Sequence, residues 1–143
     1  MTAFLSDSKR SEILHWDGFS WTRVQSYTGE LTAVAATGPD AAWAVGHEQL
    51  QGFILQWNGT SWQKLGSPRG HVPTALWPQA GNDVWLVSAA AGPGPVTDRI
   101  QHWDGTSWKG SPFSTWWLSA LWGSGPGDIW LLDGSNIFHY YQP

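Results

Sequence analysis

Turn aspartates, periodic histidines and thirteen tryptophans are the side chains of this sequence that could do chemistry. Asp40, Asp83 and Asp128 each close a glycine-containing turn: Gly38-Pro39-Asp40, Gly81-Asn82-Asp83 and Gly125-Pro126-Gly127-Asp128. A ring of such carboxylates could bind Ca²⁺. A short Asp side chain in a turn is better suited to accept from nearby backbone N–H groups, and capping its own turn is the role expected of each. His15, Gln56, His102 and His139 share one recurring position beside a strand, and nothing in the pattern brings their rings together on a metal.

Acid–base catalysis needs carboxylates that converge, with at least one raised pKa. Outside the repeated turns the acidic residues are few, namely Asp7, Glu12, Glu30, Glu48, Asp98 and Asp133, and none sits in a context that suggests a raised pKa. There is no Ser-His-Asp arrangement, no glycine-rich phosphate loop and no metal-ligand cluster, and the arginines are scattered. Cysteine is absent, which removes disulfides, thiolate chemistry and the usual structural zinc sites. No catalytic residue, metal or cofactor is assigned, and a non-enzymatic protein is expected.

The chemistry left is that of tryptophan: a large apolar ring that packs, or stacks on the apolar face of a sugar, with one N–H to donate. The rings recur in two interleaved phrases. The first reads Ile13-Leu-His-Trp16-Asp-Gly-Phe-Ser-Trp21, Ile54-Leu-Gln-Trp57-Asn-Gly-Thr-Ser-Trp62 and Ile100-Gln-His-Trp103-Asp-Gly-Thr-Ser-Trp108. The second places Trp43, Trp85 and Trp130 at the centre of Ala-Ala-Trp-Ala-Val, Asp-Val-Trp-Leu-Val and Asp-Ile-Trp-Leu-Leu. Both return every 41 to 46 residues, so the tryptophans must be positioned by a repeated unit.

Each unit divides into four short strand-like runs, A to D, shown best by Pro73–Trp77, Asp83–Ser88, Arg99–Trp103 and Ser107–Gly110. Asp-Gly or Asn-Gly joins C to D, a strong hairpin signal because glycine supplies a positive φ at little cost. No segment has the 3.6-residue period of a surface helix. Four antiparallel strands in roughly 40–45 residues is the size of one β-propeller blade. The expected fold is therefore all-β, a propeller of four-stranded antiparallel blades.

The phrases resemble a bacterial tryptophan-rich β-propeller repeat family, in which Gly-x-x-Asp-Val-Trp-Ala-Val-Gly precedes His-Trp-Asp-Gly-x-x-Trp. They are distantly similar to Asp-box and kelch-type propellers. The resemblance covers nearly the whole chain, implies the fold and a secreted or cell-surface setting, and brings no catalytic residue with it. This sequence departs from the pattern at Ala41, where the other copies have Asp83 and Asp128, and at Asn58.

Thr2–Ser6 aligns as a degenerate strand B and Asn136–Tyr141 as a strand C. Residues 1–143 then form a single partial propeller domain with blade-like repeats at 2–27, 31–66, 73–111 and 117–141, about three and a half blades. An open array would leave apolar blade faces in water, so completion of a ring by homo-oligomerisation is expected, with a dimer favoured. Two chains would make six blades if their end strands merge, or eight if each end keeps its own blade.

Within that frame Trp16, Trp21, Trp43, Trp57, Trp62, Trp85, Trp103, Trp108 and Trp130 are assigned to blade packing, each N–H reaching a carbonyl. Trp77 and Trp122 end strand A in two copies where the first full copy has only Ala36 or Thr37, and Trp116-Trp117 has no counterpart at all. Residues that the blade does not require are the candidates for a ligand or partner surface. The net charge of −4 with 13% charged residues offers no phosphate-binding footprint, so nucleic acid is not expected. No signal peptide and no run of eighteen apolar residues is visible, and membrane insertion is not expected. Two functions remain: a lectin-like module binding glycans through repeated aromatic pockets, made avid by multivalency, or a protein-interaction and self-assembling scaffold. A propeller fragment without activity of its own would fit the same ends. Equivalent pockets in every copy would favour the lectin, and unique residues gathered on one face would favour the scaffold.

Overall fold

The computed structural model describes residues 10–66, 71–90, 98–115 and 118–141. The expected strand at Thr2–Ser6 and the Trp116-Trp117 pair lie outside the described residues. The described residues form thirteen β-strands and no helix, arranged as four antiparallel sheets in chain order. The first holds β1 (Arg10–Trp16) and β2 (Trp21–Thr28). The second is β3 (Glu30–Gly38), β4 (Ala41–Glu48), β5 (Gln51–Trp57) and β6 (Trp62–Leu65). The third is β7 (His71–Ala80), β8 (Asp83–Ala90), β9 (Asp98–Trp103) and β10 (Trp108–Thr115). The fourth is β11 (Leu118–Gly125), β12 (Asp128–Asp133) and β13 (Asn136–Tyr141). Every strand pairs with its neighbour in sequence, so each sheet is a plain meander.

The hairpins explain why the turns fall where they do. Gly18, Gly59 and Gly105 have φ of 102°, 91° and 91°, a conformation that side chains oppose. The preceding Asp17, Asn58 or Asp104 accepts through Oδ1 from the N–H groups two and three residues on. Its own N–H donates to the serine carbonyl that ends the loop, at 3.3 Å in all three. Each loop thereby pairs two tryptophans directly across the hairpin: Trp16 with Trp21, Trp57 with Trp62 and Trp103 with Trp108. The first strand of each fuller sheet carries a bulge at Thr32, Thr74 or Ser119, whose hydroxyl donates to a carbonyl of the next strand, that of Val45, Val87 or Leu132.

Strand alternation sends neighbouring residues to opposite faces, and the sheets stack through those faces. Trp43, Val45 and Ile54 of the second sheet bury against Leu76, Val84 and Leu86 of the third. Trp85, Val87 and Ile100 of the third bury against Leu118, Leu121, Ile129 and Leu131 of the fourth. Ile13 of the first meets Ala44, Phe53 and Leu55 of the second. The core is thus three layers between four sheets, and each buried Leu, Ile or Val contributes about 1.5–3 kcal/mol. The near-continuous apolar runs Ala-Ala-Trp-Ala-Val and Asp-Val-Trp-Leu-Val arise because β4 and β8 are covered on both sides.

Candidate functional site

Register fixes which residues are equivalent. Trp43 pairs with Gln56, Trp85 with His102 and Trp130 with His139, so the three tryptophans hold one position in successive sheets. Trp57, Trp103 and Tyr140 likewise share one position, opposite Ala42, Val84 and Ile129. The contact between sheets is built from these two positions. The ring of Trp43 meets Trp103 and Trp108 edge-on, with centroids 6.4 and 6.5 Å apart. One sheet further on, Trp85 lies 5.6 Å from Tyr140. Trp43, Trp85, Trp103 and Trp108 therefore sit between sheets and are spent on packing.

Trp77 and Trp122 end up differently from one another. Trp77 is half-buried against the layer between the third and fourth sheets, and its ring lies over Gly123, where an added Cβ would come within 2.6 Å of it. Trp122 stands exposed on the far side of the fourth sheet. The pairing Ala35↔Trp43, Trp77↔Trp85 and Trp122↔Trp130 makes Ala35 the counterpart in the second sheet, rather than Ala36 or Thr37. The sequence carries the same eight-residue spacing in all three, and the register shift between Ala36 and Gly38 matches those at Pro78/Ala80 and Gly123/Gly125.

Two turn aspartates also depart from expectation. Asp83 accepts from His102 Nε2 at 2.8 Å, and the imidazole stacks on Trp85 with centroids 4.4 Å apart. Asp128 accepts from His139 Nε2 at 2.5 Å and from Ser124 Oγ, and His139 stacks on Trp130 at 4.1 Å. Those bonds, the serine first, hold the Asp128 carboxyl below its ordinary range. The reach of a histidine on the neighbouring strand wins over the local turn, because its ring already lies flat on the tryptophan between them. The second sheet has Ala41 and Gln56 at these positions and carries no such pair. The signal was present in sequence as a shared loss: Asp and His disappear together in one copy. The side chains that do cap their turns include Asp17, Asn58, Asp104 and Asp133. Asp104 is held far below its usual range, first by Lys109 Nζ at 2.7 Å and then by Thr106 and Ser107, and Asp17 is lowered by the N–H groups of Ser20 and Phe19.

The indole N–H groups behave unevenly. Trp57 Nε1 donates to Pro39 O at 3.1 Å, whereas Trp43 and Trp108 bury Nε1 with no acceptor in hydrogen-bond range among the described residues. Both lie where the second and third sheets meet, among apolar side chains.

Among the described residues, most of the exposed large apolar side chains belong to the first and fourth sheets, with Val34 and Leu50 exposed on the second. Leu14, Trp16, Phe19 and Trp21 are exposed on the first sheet, and Trp122, Trp130, Leu132, Ile137 and Tyr141 on the fourth. Arg10, Glu12 and Arg23 continue the first face, with Glu12 Oε1 bonded to Arg23 Nη1 at 2.7 Å beside a cleft of about 420 Å³. Among the described residues no group of three or more His, Asp or Glu side chains is placed to hold a metal. No protein-family model matches the chain, and no curated protein is significantly similar to it.

Proposed function

We propose that this protein is a non-enzymatic, self-assembling interaction module whose sheets are the blades of a β-propeller ring that more than one chain completes. One observation carries the reading: the solvent-exposed aromatics are concentrated on the two outer faces of the stack, while the repeated tryptophans that meet a neighbouring sheet are consumed in packing. Repeated sugar pockets would need an open ring in every copy, and Trp43 and Trp85 are buried. Contiguous apolar faces of this kind are characteristic of interaction surfaces. The test is the solution mass of the chain by light scattering after size exclusion across a range of concentrations. A mass of two or more 15.8 kDa chains is expected, and a monomer at every concentration would refute the assembly reading.

A second reading, lectin-like binding of glycans, draws support from Trp122. Its exposed indole lies in register with Trp130 and close in sequence to the hydrogen-bonded Ser124–Asp128–His139 group, a combination of stacking ring and polar partners suited to a sugar. Tryptophan fluorescence titrated with oligosaccharides tests it, with Trp122→Ala expected to abolish any saturable change.

A further inference from the structure

The two outer faces of the stack are the two halves of an interface that the chain already builds twice. In two of the three internal contacts one sheet presents a tryptophan from its second strand, Trp43 or Trp85, and the following sheet receives it on an aromatic at one position of its third strand, Trp103 or Tyr140. Trp43 and Trp85 are 1% and 7% exposed, and Trp130 at the same position is 39% exposed. Beside it Ile137 is 72% exposed, while Ile54 and Ile100 at its position are 0% and 3%. The fourth sheet therefore carries a complete presenting face with nothing on it among the described residues.

The first sheet carries the matching receiver. Trp16 and Trp21 are 47% and 67% exposed, and their centroids lie 5.6 Å apart at 48°. Trp103 and Trp108, which receive Trp43, are 5.5 Å apart at 41°. The receiving hairpin is thus already formed without its guest. Leu14 is exposed where the equivalent Leu55 is fully buried.

We infer that two copies of this chain join head to tail, with Trp130, Leu132 and Ile137 of one copy seated on Leu14, Trp16 and Trp21 of the next. The occupant is a second copy because the surfaces differ from each other and each fits the kind of partner that the other provides. Such a contact is heterologous, so it propagates until a ring closes. Because each end sheet meets its neighbour face to face rather than merging with it, two chains make a ring of eight sheets, within the known range for propellers. This rests on the assembly reading above and adds the faces, the direction and the count.

The experiment is a complementation between Trp16→Glu and Trp130→Glu, both at exposed positions, with circular dichroism to confirm that each variant folds. The wild-type chain is expected at twice its own mass. Each variant alone is expected to be monomeric, because one half of every contact is spoiled. An equimolar mixture is expected to recover a 1:1 complex, in which the intact face of one variant meets the intact face of the other, and the double variant should join neither. If either single variant keeps the wild-type mass, the head-to-tail geometry is wrong while assembly stands. If the singles are monomeric and their mixture stays so up to hundreds of micromolar, the geometry is again wrong. A wild-type monomer overturns both readings, and leaves further sheets of a longer chain as the natural cover for these faces. Should either glutamate variant fail to fold, Trp16→Ser and Trp130→Ser serve in its place.

Discussion

Trp43 and Trp130 are the same residue at the same sheet position, and their surroundings give them different work. Trp43 fills the layer between the second and third sheets and touches two further indoles. Trp43→Ala should lower folding stability by about 3–5 kcal/mol, the usual cost of removing a buried aromatic. Trp130 has packing on one side only, so Trp130→Ala should cost roughly 1 kcal/mol or less of folding free energy. Urea unfolding of the two variants, at a concentration where the wild type is monomeric, reads the difference directly. Equal losses would mean that the outer face is not free. The Asp–His pairs show the same dependence on context: Asp83 and Asp128 were expected to serve their turns, and each bonds a histidine stacked on the neighbouring tryptophan, Asp128 also accepting from Ser124 of its own turn.

Among elements, the hairpins supply an internal control on acid stability. The Asp17 and Asp104 carboxylates are held below the ordinary carboxylate value of 3.8, so each stabilises the fold above about pH 4, and that contribution fades as the pH falls through and below that value. Asn58 makes the same two backbone bonds without a titrating group. The double variant Asp17→Asn, Asp104→Asn should therefore keep its hairpins at neutral pH and lose less melting temperature than the wild type between about pH 4 and pH 2. Thermal melts across that range check it, and an unchanged acid slope would remove these two carboxylates as its source. A second element-scale prediction concerns the third and fourth sheets. At Gly123 a Cβ would stand 2.6 Å from the Trp77 ring and 2.8 Å from the Asp128 carbonyl. Gly123→Ala should cost about 1–3 kcal/mol, as overpacking of a fitted interior does, and near-ultraviolet circular dichroism should report the displaced indole.

For the molecule as a whole, stacked sheets behave as a quasi-linear array in which each unit is stabilised by its neighbours. Among the described residues the inner sheets are covered on two faces and the outer ones on a single face, so the ends should open first in hydrogen exchange. On the proposed assembly those ends are covered and folding is coupled to concentration. The melting temperature of the wild type should rise with protein concentration, and that of Trp130→Glu should not. A melting temperature independent of concentration in both would argue that the outer faces contribute nothing to association.

Local chemistry settled much of this protein before any tertiary contact was considered. The Asp-Gly and Asn-Gly loops place their hairpins because a positive φ and a side-chain acceptor act within four residues. The strands follow from alternation and from glycine turns, and two phrases with one period make the antiparallel sheets readable in the chain alone. What sequence could not decide depends on contacts between residues far apart. A neighbouring sheet drew Trp77 into packing while Trp122 stayed exposed, and histidines on the next strand bonded two turn aspartates. Identical tryptophans at identical repeat positions became core or surface according to whether another sheet lay against them. Burial is a property of what stands on the other side of a face, and a repeat carries no information about that in its own residues.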